Sequence, residues 1–293
     1  IRAGWIRSLY PGVEVIEAWD GPDGYSSERS FEILQEQYIL GILGGRTITH
    51  FYSSEFYGDH VSRALHAVDR RIDEKRETVH ISATQIRSDP FKYREFIPDI
   101  VYRDLITRVV FLGAMSTGKT TLVERLAAKF KTTFAREYGR EYWEQNQVDR
   151  RITFEAFNEI AVRHIEEEEQ ALLKADRYLF VDTNAITTYM YALDYHGKAP
   201  DLLCRLVLEN PQRYDLFFLC EDDIPYDDTW DRSGPQKRAV FHKQIIADLQ
   251  ERNIPFIRLK GTLAERIRTV ESVLARFAKY SNFFGEGIET TTC

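Results

Sequence analysis

The stretch LITRVVFLGAMSTGKTTLVERLAAKF, beginning at Leu105, constrains the fold more than any other part of the chain. Gly113-Ala114-Met115-Ser116-Thr117-Gly118-Lys119-Thr120 matches G-x-x-x-x-G-K-[ST] in full. The preceding RVVFLGA is a nearly continuous apolar run, as a strand buried on both faces requires, and GKTTLVERLAAKF has the spacing of an amphipathic helix. A strand that turns through glycines into a helix aims backbone N–H groups and the positive helix end at a phosphate. In such a loop Lys119 reaches the outer phosphates and Thr120 offers its hydroxyl to Mg2+. Gly113, Ser116, Thr117, Gly118 and Thr121 complete the expected ATP-binding set. ATP is the expected co-substrate and Mg2+ the expected cofactor.

Downstream the same alternation continues. YLFVDTN, RYDLFFLCE and PFIRLKG read as further buried strands, separated by the helical stretches ITFEAFNEIAVRHIEEEEQALLKA, ITTYMYALDYHG and KRAVFHKQIIADLQERN. Such an order calls for an α/β fold with a parallel sheet covered on both faces. Asp182 ends its strand where such sheets gather their ligands, placed to hold Mg2+ or to take a proton from a substrate hydroxyl. The polar loop DDIPYDDTWDRSGPQKR carries Trp230, Arg232, Lys237 and Arg238, and a lid there would bring Arg232 and Arg238 over a transferring phosphoryl group. After the strand-like KTTFA, Arg136, Glu137 and Tyr138 are candidates for the acceptor side, Glu137 for sugar hydroxyls and Tyr138 for stacking on a base. Arg140 is as well explained by ion pairing. Phosphoryl transfer needs no Cys or His nucleophile, and His164 and His242, both on helices, read as surface or packing residues.

The region before Arg103 mixes both patterns. WIRSLY reads as a helix end, VEVIEAW as a short strand, SFEILQEQYILGIL as a helix, ITHFYSS as a strand and GDHVSRALHAV as a helix, followed by the charged loop DRRIDEKRET. Next comes Ile81-Ser82-Ala83-Thr84-Gln85-Ile86-Arg87, which fits I-S-x-T-x-x-R. Ser82 and Thr84 can present hydroxyls at a helix start, with Arg87 one turn on, although the same spacing suits an ordinary capped helix. Ser53, Ser54 and Glu55 close the ITHFYSS strand, where a nucleotide could be read. Expected domains are thus 1–103 and 104–281, with a disordered tail at 282–293.

Composition narrows the function classes. With 43% hydrophobic and 29% charged residues the chain is globular in composition, and its net charge of −7 argues against a general nucleic-acid binder. No apolar run is long enough to span a bilayer. Three cysteines, Cys204, Cys220 and Cys293, without C-x-x-C spacing, suit a reducing cytoplasm rather than a disulfide framework or zinc site. The first residue is Ile1, and the sequence is expected to be an N-terminally truncated fragment. A homo-oligomer is left open.

Taken together, RAGWIRSLYP, HFYSSEFYG, HISATQIRSDPFKYREFIP, GAMSTGKTTL, FAREYGREYW and LFVDTNAITTYMYALDYHG resemble the bifunctional NadR-type family, in which a nicotinamide-nucleotide adenylyltransferase domain precedes a ribosylnicotinamide kinase domain. The resemblance implies a Rossmann-like nucleotidylyltransferase domain, truncated here, followed by a P-loop kinase domain. It implies two reactions: phosphorylation of nicotinamide riboside to nicotinamide mononucleotide, and adenylylation of that mononucleotide by ATP to NAD. Ser82, Thr84 and Arg87 would then grip ATP in the first site, with Ser53 and Ser54 nearby. Gly118, Lys119 and Thr120 would do so in the second, with Asp182 close to Mg2+. Two departures stand against it. No H-x-G-H occurs in the sequence, so adenylyl transfer by this chain is expected to be weak, and the lid reads DDTWDRSG where a more apolar, Gly-rich lid is implied. A nucleotide-sensing regulator and a P-loop kinase for another nucleoside remain the alternatives.

Overall fold

In the computed structural model, residues 1–22, 26, 28–54, 58–149, 151–226 and 235–280 are described. The backbone divides into two compact units, Ile1–Lys92 and a second from Tyr93 onward.

The first unit contains α1 (Arg2–Leu9), α2 (Arg29–Leu43), β1 (His50–Ser53), α3 (Gly58–Ala64), β2 (Val68–Arg71) and α4 (Ala83–Ser88). β1 and β2 pair in parallel, from His50 with Val68 to Ser53 with Arg71. Two expectations fail here. VEVIEAW forms no strand among the described residues. The helix expected over GDHVSRALHAV stops at Ala64, and the charged stretch expected as a loop begins as β2. Val68 and Arg70 are exposed while Asp69 and Arg71 are half-buried and pair with each other at 2.9 Å, so a charged stretch forms a strand beside β1.

In the second unit the elements are α5 (Asp99–Leu105), β3 (Thr107–Leu112), α6 (Lys119–Phe130), β4 (Phe134–Ala135), α7 (Tyr138–Asn146), α8 (Ala156–Leu172), β5 (Tyr178–Asp182), α9 (Ala185–His196), α10 (Asp201–Glu209), β6 (Leu216–Cys220), α11 (Pro235–Glu251), β7 (Ile257–Leu259) and α12 (Leu263–Leu274). The sheet is parallel throughout, in the order β4-β5-β3-β6-β7. This is the α/β architecture expected, with α7 and α10 added. Val109, Val110, Phe111 and Leu112 of β3 are all fully buried, which explains why that segment shows no alternation. One sheet face packs Phe111, Phe180 and Phe218 against Leu122, Leu126, Val270 and Leu274 from α6 and α12. β5 lies on one side of β3 and β6 on the other, so the loop after β3 opens where the connections part in opposite directions. Among the described residues no helix is long and apolar enough to cross a membrane.

Gly113 leaves β3 at φ 143°, a conformation that suits glycine alone, and a Cβ there would lie 2.6 Å from the Cys220 carbonyl oxygen and 2.9 Å from Thr117 Oγ1. Gly113→Ala is expected to destabilise the second unit by about 2–4 kcal/mol, since backbone atoms cannot yield as a side-chain end can. Urea unfolding measures this, and an unchanged midpoint would contradict the account.

Candidate functional site

Backbone conformation builds the loop between β3 and α6. Ser116 at φ 57° and Gly118 at φ 79° turn the chain so that α6 starts at Lys119. Thr117 Oγ1 donates to the Ala114 carbonyl at 2.8 Å and ties the loop to itself. Lys119 is buried, and its Nζ donates to the carbonyls of Gly113 and Ala114, each at 3.0 Å. The ammonium is therefore held across the loop by acceptors that a phosphate oxygen could replace. Two buried arginines secure the loop from outside. Arg266 of α12 donates to the carbonyls of Thr117 at 2.6 Å, Gly261 at 3.0 Å and Glu221 at 3.1 Å. Arg238, at the start of α11, donates to Asp222 O at 3.0 Å, Ile224 O at 3.1 Å and Ser116 O at 3.4 Å.

Strand register delivers the acidic partner. Asp182 pairs with Phe111, two residues before Gly113, so its side chain stands beside the loop. Thr120 Oγ1 donates to Asp182 Oδ2 at 2.5 Å, while Asp182 Oδ1 is buried with no hydrogen-bond partner. Burial holds this carboxyl above its ordinary pKa, with Lys119 and the Thr120 hydroxyl pulling the other way. An oxygen left bare in a buried site, next to a hydroxyl and an ammonium, fits a divalent cation as its missing partner.

These groups open onto a cavity of about 340 Å3. One wall is Met115 to Thr121 of the loop. Glu137, Arg140, Trp143, Phe157, His164, Tyr191, Asp194 and Tyr195 also line the cavity, drawn from α7, α8 and α9 and the residue before α7. Its size and its mixture of aromatic faces with a few ionisable groups suit a small organic ligand. Burial raises the Glu137 pKa; Lys119 opposes this, and Asp182 adds to it.

Residues 108–266 match the family model of the AAA domain, more than half of the chain. The trifunctional NAD biosynthesis/regulator protein NadR of Salmonella typhimurium (strain LT2) is 33% identical over 193 residues, 64% of this chain and 47% of the relative. The protein of that name from Escherichia coli K12 is 34% identical over the same extents. The chain belongs to the AAA domain family and is similar to NadR. It spans about half the length of these curated relatives. A crystal structure of NadR protein in complex with NR shares its fold at a TM-score of 0.60 and 22% identity, covering 94% of this chain and 81% of the other. Another, in complex with NAD and AMP-PNP, gives 0.58 and 22%, covering 100% of this chain and 84% of the other.

In this AAA domain chain Ser116, Thr117, Gly118, Lys119, Thr120, Thr121 and Glu137 all line the same cavity, with Asp182 at its edge through Thr120. Other expected residues fall elsewhere. Arg136 is exposed and paired with Glu124 at 3.4 Å, and the Tyr138 ring packs on Tyr142 at 6.2 Å; neither lines the cavity. Arg238 is committed to backbone carbonyls. Glu55, Trp230, Arg232 and the expected tail at 282–293 lie outside the described residues. In the first unit Ser82 Oγ accepts from Gln85 N at 3.1 Å, Gln85 Oε1 accepts from Ser82 N at 2.8 Å, and Arg87 donates to Thr84 Oγ1 at 3.3 Å. That stretch is a capping box with the three motif side chains on one short helix. Ser53 is half-buried at the end of β1 and Ser54 is exposed.

Sequence reasoning missed Arg266 and misplaced His164. Both histidines expected at the surface or in packing are buried, and His164 forms part of the cavity wall. His242 is indeed internal packing, 3.1 Å from Glu221. Signals for His164 were present in the i,i+4 pair His164 and Glu168, which stand 3.2 Å apart.

A carboxyl with a raised folded-state pKa binds its proton more tightly in the native state. Its charged form costs stability above that pKa, and the cost fades as pH falls through it. Glu137→Gln is accordingly expected to raise Tm by a few degrees at pH 8, with the gain shrinking toward pH 4. Thermal melts across that range test this, and an equal loss of Tm at both ends would refute it.

Proposed function

We propose that the second unit transfers the γ-phosphoryl group of ATP to nicotinamide riboside, giving nicotinamide mononucleotide and ADP. The observation that carries this is the Thr120–Asp182 contact with its unpartnered Oδ1, placed beside Lys119 at the mouth of an aromatic-walled cavity. Loop amides and Lys119 hold the β- and γ-phosphates. Thr120 and Asp182 would hold Mg2+, which when bound with ATP neutralises phosphate charge. Glu137 faces the acceptor hydroxyl and takes its proton as the acceptor oxygen bonds to the γ-phosphorus and the bond to the β,γ-bridging oxygen breaks. Its raised pKa suits a group that must gain a proton during the reaction. Trp143, Tyr191 and Tyr195 border the cavity, and aromatic rings there would favour a cationic pyridinium over an uncharged base. The names of the relatives at 33% and 34% identity, and NR in the similar structure, support the same reading.

For the first unit we propose adenylylation of nicotinamide mononucleotide to NAD, with Ser82, Thr84 and Arg87 toward ATP phosphates. Without H-x-G-H in the sequence, this chain is expected to perform that step slowly or not at all.

The test is Mg-ATP-dependent phosphorylation of nicotinamide riboside, run beside adenosine, uridine and cytidine. Nicotinamide riboside should be preferred, and Lys119→Ala should lower turnover about 100-fold or more, as loss of a phosphate-stabilising charge does. Phosphorylation of another nucleoside alone would remove the acceptor assignment. ATP binding with no acceptor turned over would instead favour a nucleotide-sensing regulator.

A further inference from the structure

Glu137 occupies the N-cap position of α7, yet its side chain makes no capping hydrogen bond. A carboxylate at that position ordinarily turns back on the helix to accept from its free N–H groups, because those donors are otherwise unsatisfied. Here a neighbour supplies an acceptor. The Tyr138 N–H, first in α7, donates to His164 Nδ1 of α8 at 3.4 Å. An Nδ1 that accepts is bare, so the ring proton sits on Nε2, which stands at ion-pair distance, 3.2 Å, from Glu168 Oε1 without the alignment of a hydrogen bond. Glu168 is almost fully buried and anchored in turn, accepting from the Tyr214 hydroxyl at 2.6 Å and pairing with Arg213 at 3.3 Å.

We infer that His164 is a positioning residue for the reacting end of the cavity: it caps α7 in place of Glu137, so that the Glu137 carboxylate stays directed at the acceptor. The chain Tyr214–Glu168–His164 sets the tautomer and orientation of the ring, much as a buried carboxylate orients a catalytic or metal-bound histidine. His164 lies in the cavity wall and touches the peptide that carries Glu137, but nothing in its placement requires it to touch the reacting atoms. The inference rests on the proposed role of Glu137 in phosphoryl transfer.

Two near-isosteric variants separate the ring nitrogens. Asn at 164 keeps an acceptor near Nδ1 and loses the reach to Glu168, whereas Gln keeps a donor toward Glu168 and loses the acceptor. His164→Asn should hold kcat within about threefold of wild type, and His164→Gln should lower it about 10- to 100-fold with KM for ATP unchanged, the scale of a misplaced reacting group. In a Glu137→Gln background, His164→Gln should add no further loss, since two residues acting through one contact are not additive. Hydrogen exchange at the Tyr138 amide reads the cap without turnover, and it should quicken in His164→Gln and stay slow in His164→Asn. Equal losses in the two variants, an additive double mutant or an amide unaffected by His164→Gln would each overturn the inference. An enzyme that turns over no nucleoside while its Tyr138 amide follows this pattern would locate the failure in the kinase reading and leave the cap standing.

Discussion

Everything at the nucleotide end of this protein depends on the parallel pairing of β3 with β5. The register that sets Phe111 opposite Asp182 ends both strands at one edge of the sheet. Beyond that edge β3 becomes the loop that carries Thr120, and the hydroxyl meets the carboxylate at 2.5 Å. A slip of one residue would turn Asp182 to the other face of the sheet and leave the loop without its acidic partner. The apolar packing of Phe111, Phe180 and Phe218 under α6 and α12 guards against that slip, because those rings can be buried in only one register. Packing energy thereby fixes the chemistry.

What the packing holds is costly. Lys119, Asp182, Glu137, His164 and Glu168 bring opposite charges into a small volume with little water, and several carry pKa values shifted by burial or by one another. Each charge is tolerable because a neighbour of opposite sign or a hydrogen-bond donor is at hand. Asp182 Oδ1 and His164 Nε2 are buried without a hydrogen-bond partner, and Oδ1 is an acceptor with no donor. Sites that bind phosphate and metal commonly carry such a deficit, since the ligand completes the set. Stability is given up where binding energy will be gained.

Arg266 and Arg238 extend the same logic outward. Each spends its guanidinium on backbone carbonyls of the phosphate loop and of residues 221–224, joining α12 and α11 to the loop. A loop held this way keeps its conformation before any ligand arrives, and preorganisation of that kind lowers the entropy lost on binding. The expectation that Arg238 closes over a phosphoryl group came from its place after a polar loop. Such a loop shows that an arginine has room to move, but it says nothing of the carbonyls within reach.

The sequence by itself determined the phosphate loop, the alternation of buried strands with helices, and Asp182 at a strand end. All three are local: glycine spacing, apolar periodicity and the residue at the end of an apolar run are set by neighbours in the chain. Tertiary structure alone decided that Glu137 shares a cavity with Lys119, while its neighbours Arg136 and Tyr138 face elsewhere. It also brought His164 to the first amide of α7, and turned a charged stretch at Val68–Arg71 into a strand beside β1. Those outcomes require contacts between residues far apart in sequence, and no periodicity within one segment records which face of it a distant helix or strand will cover.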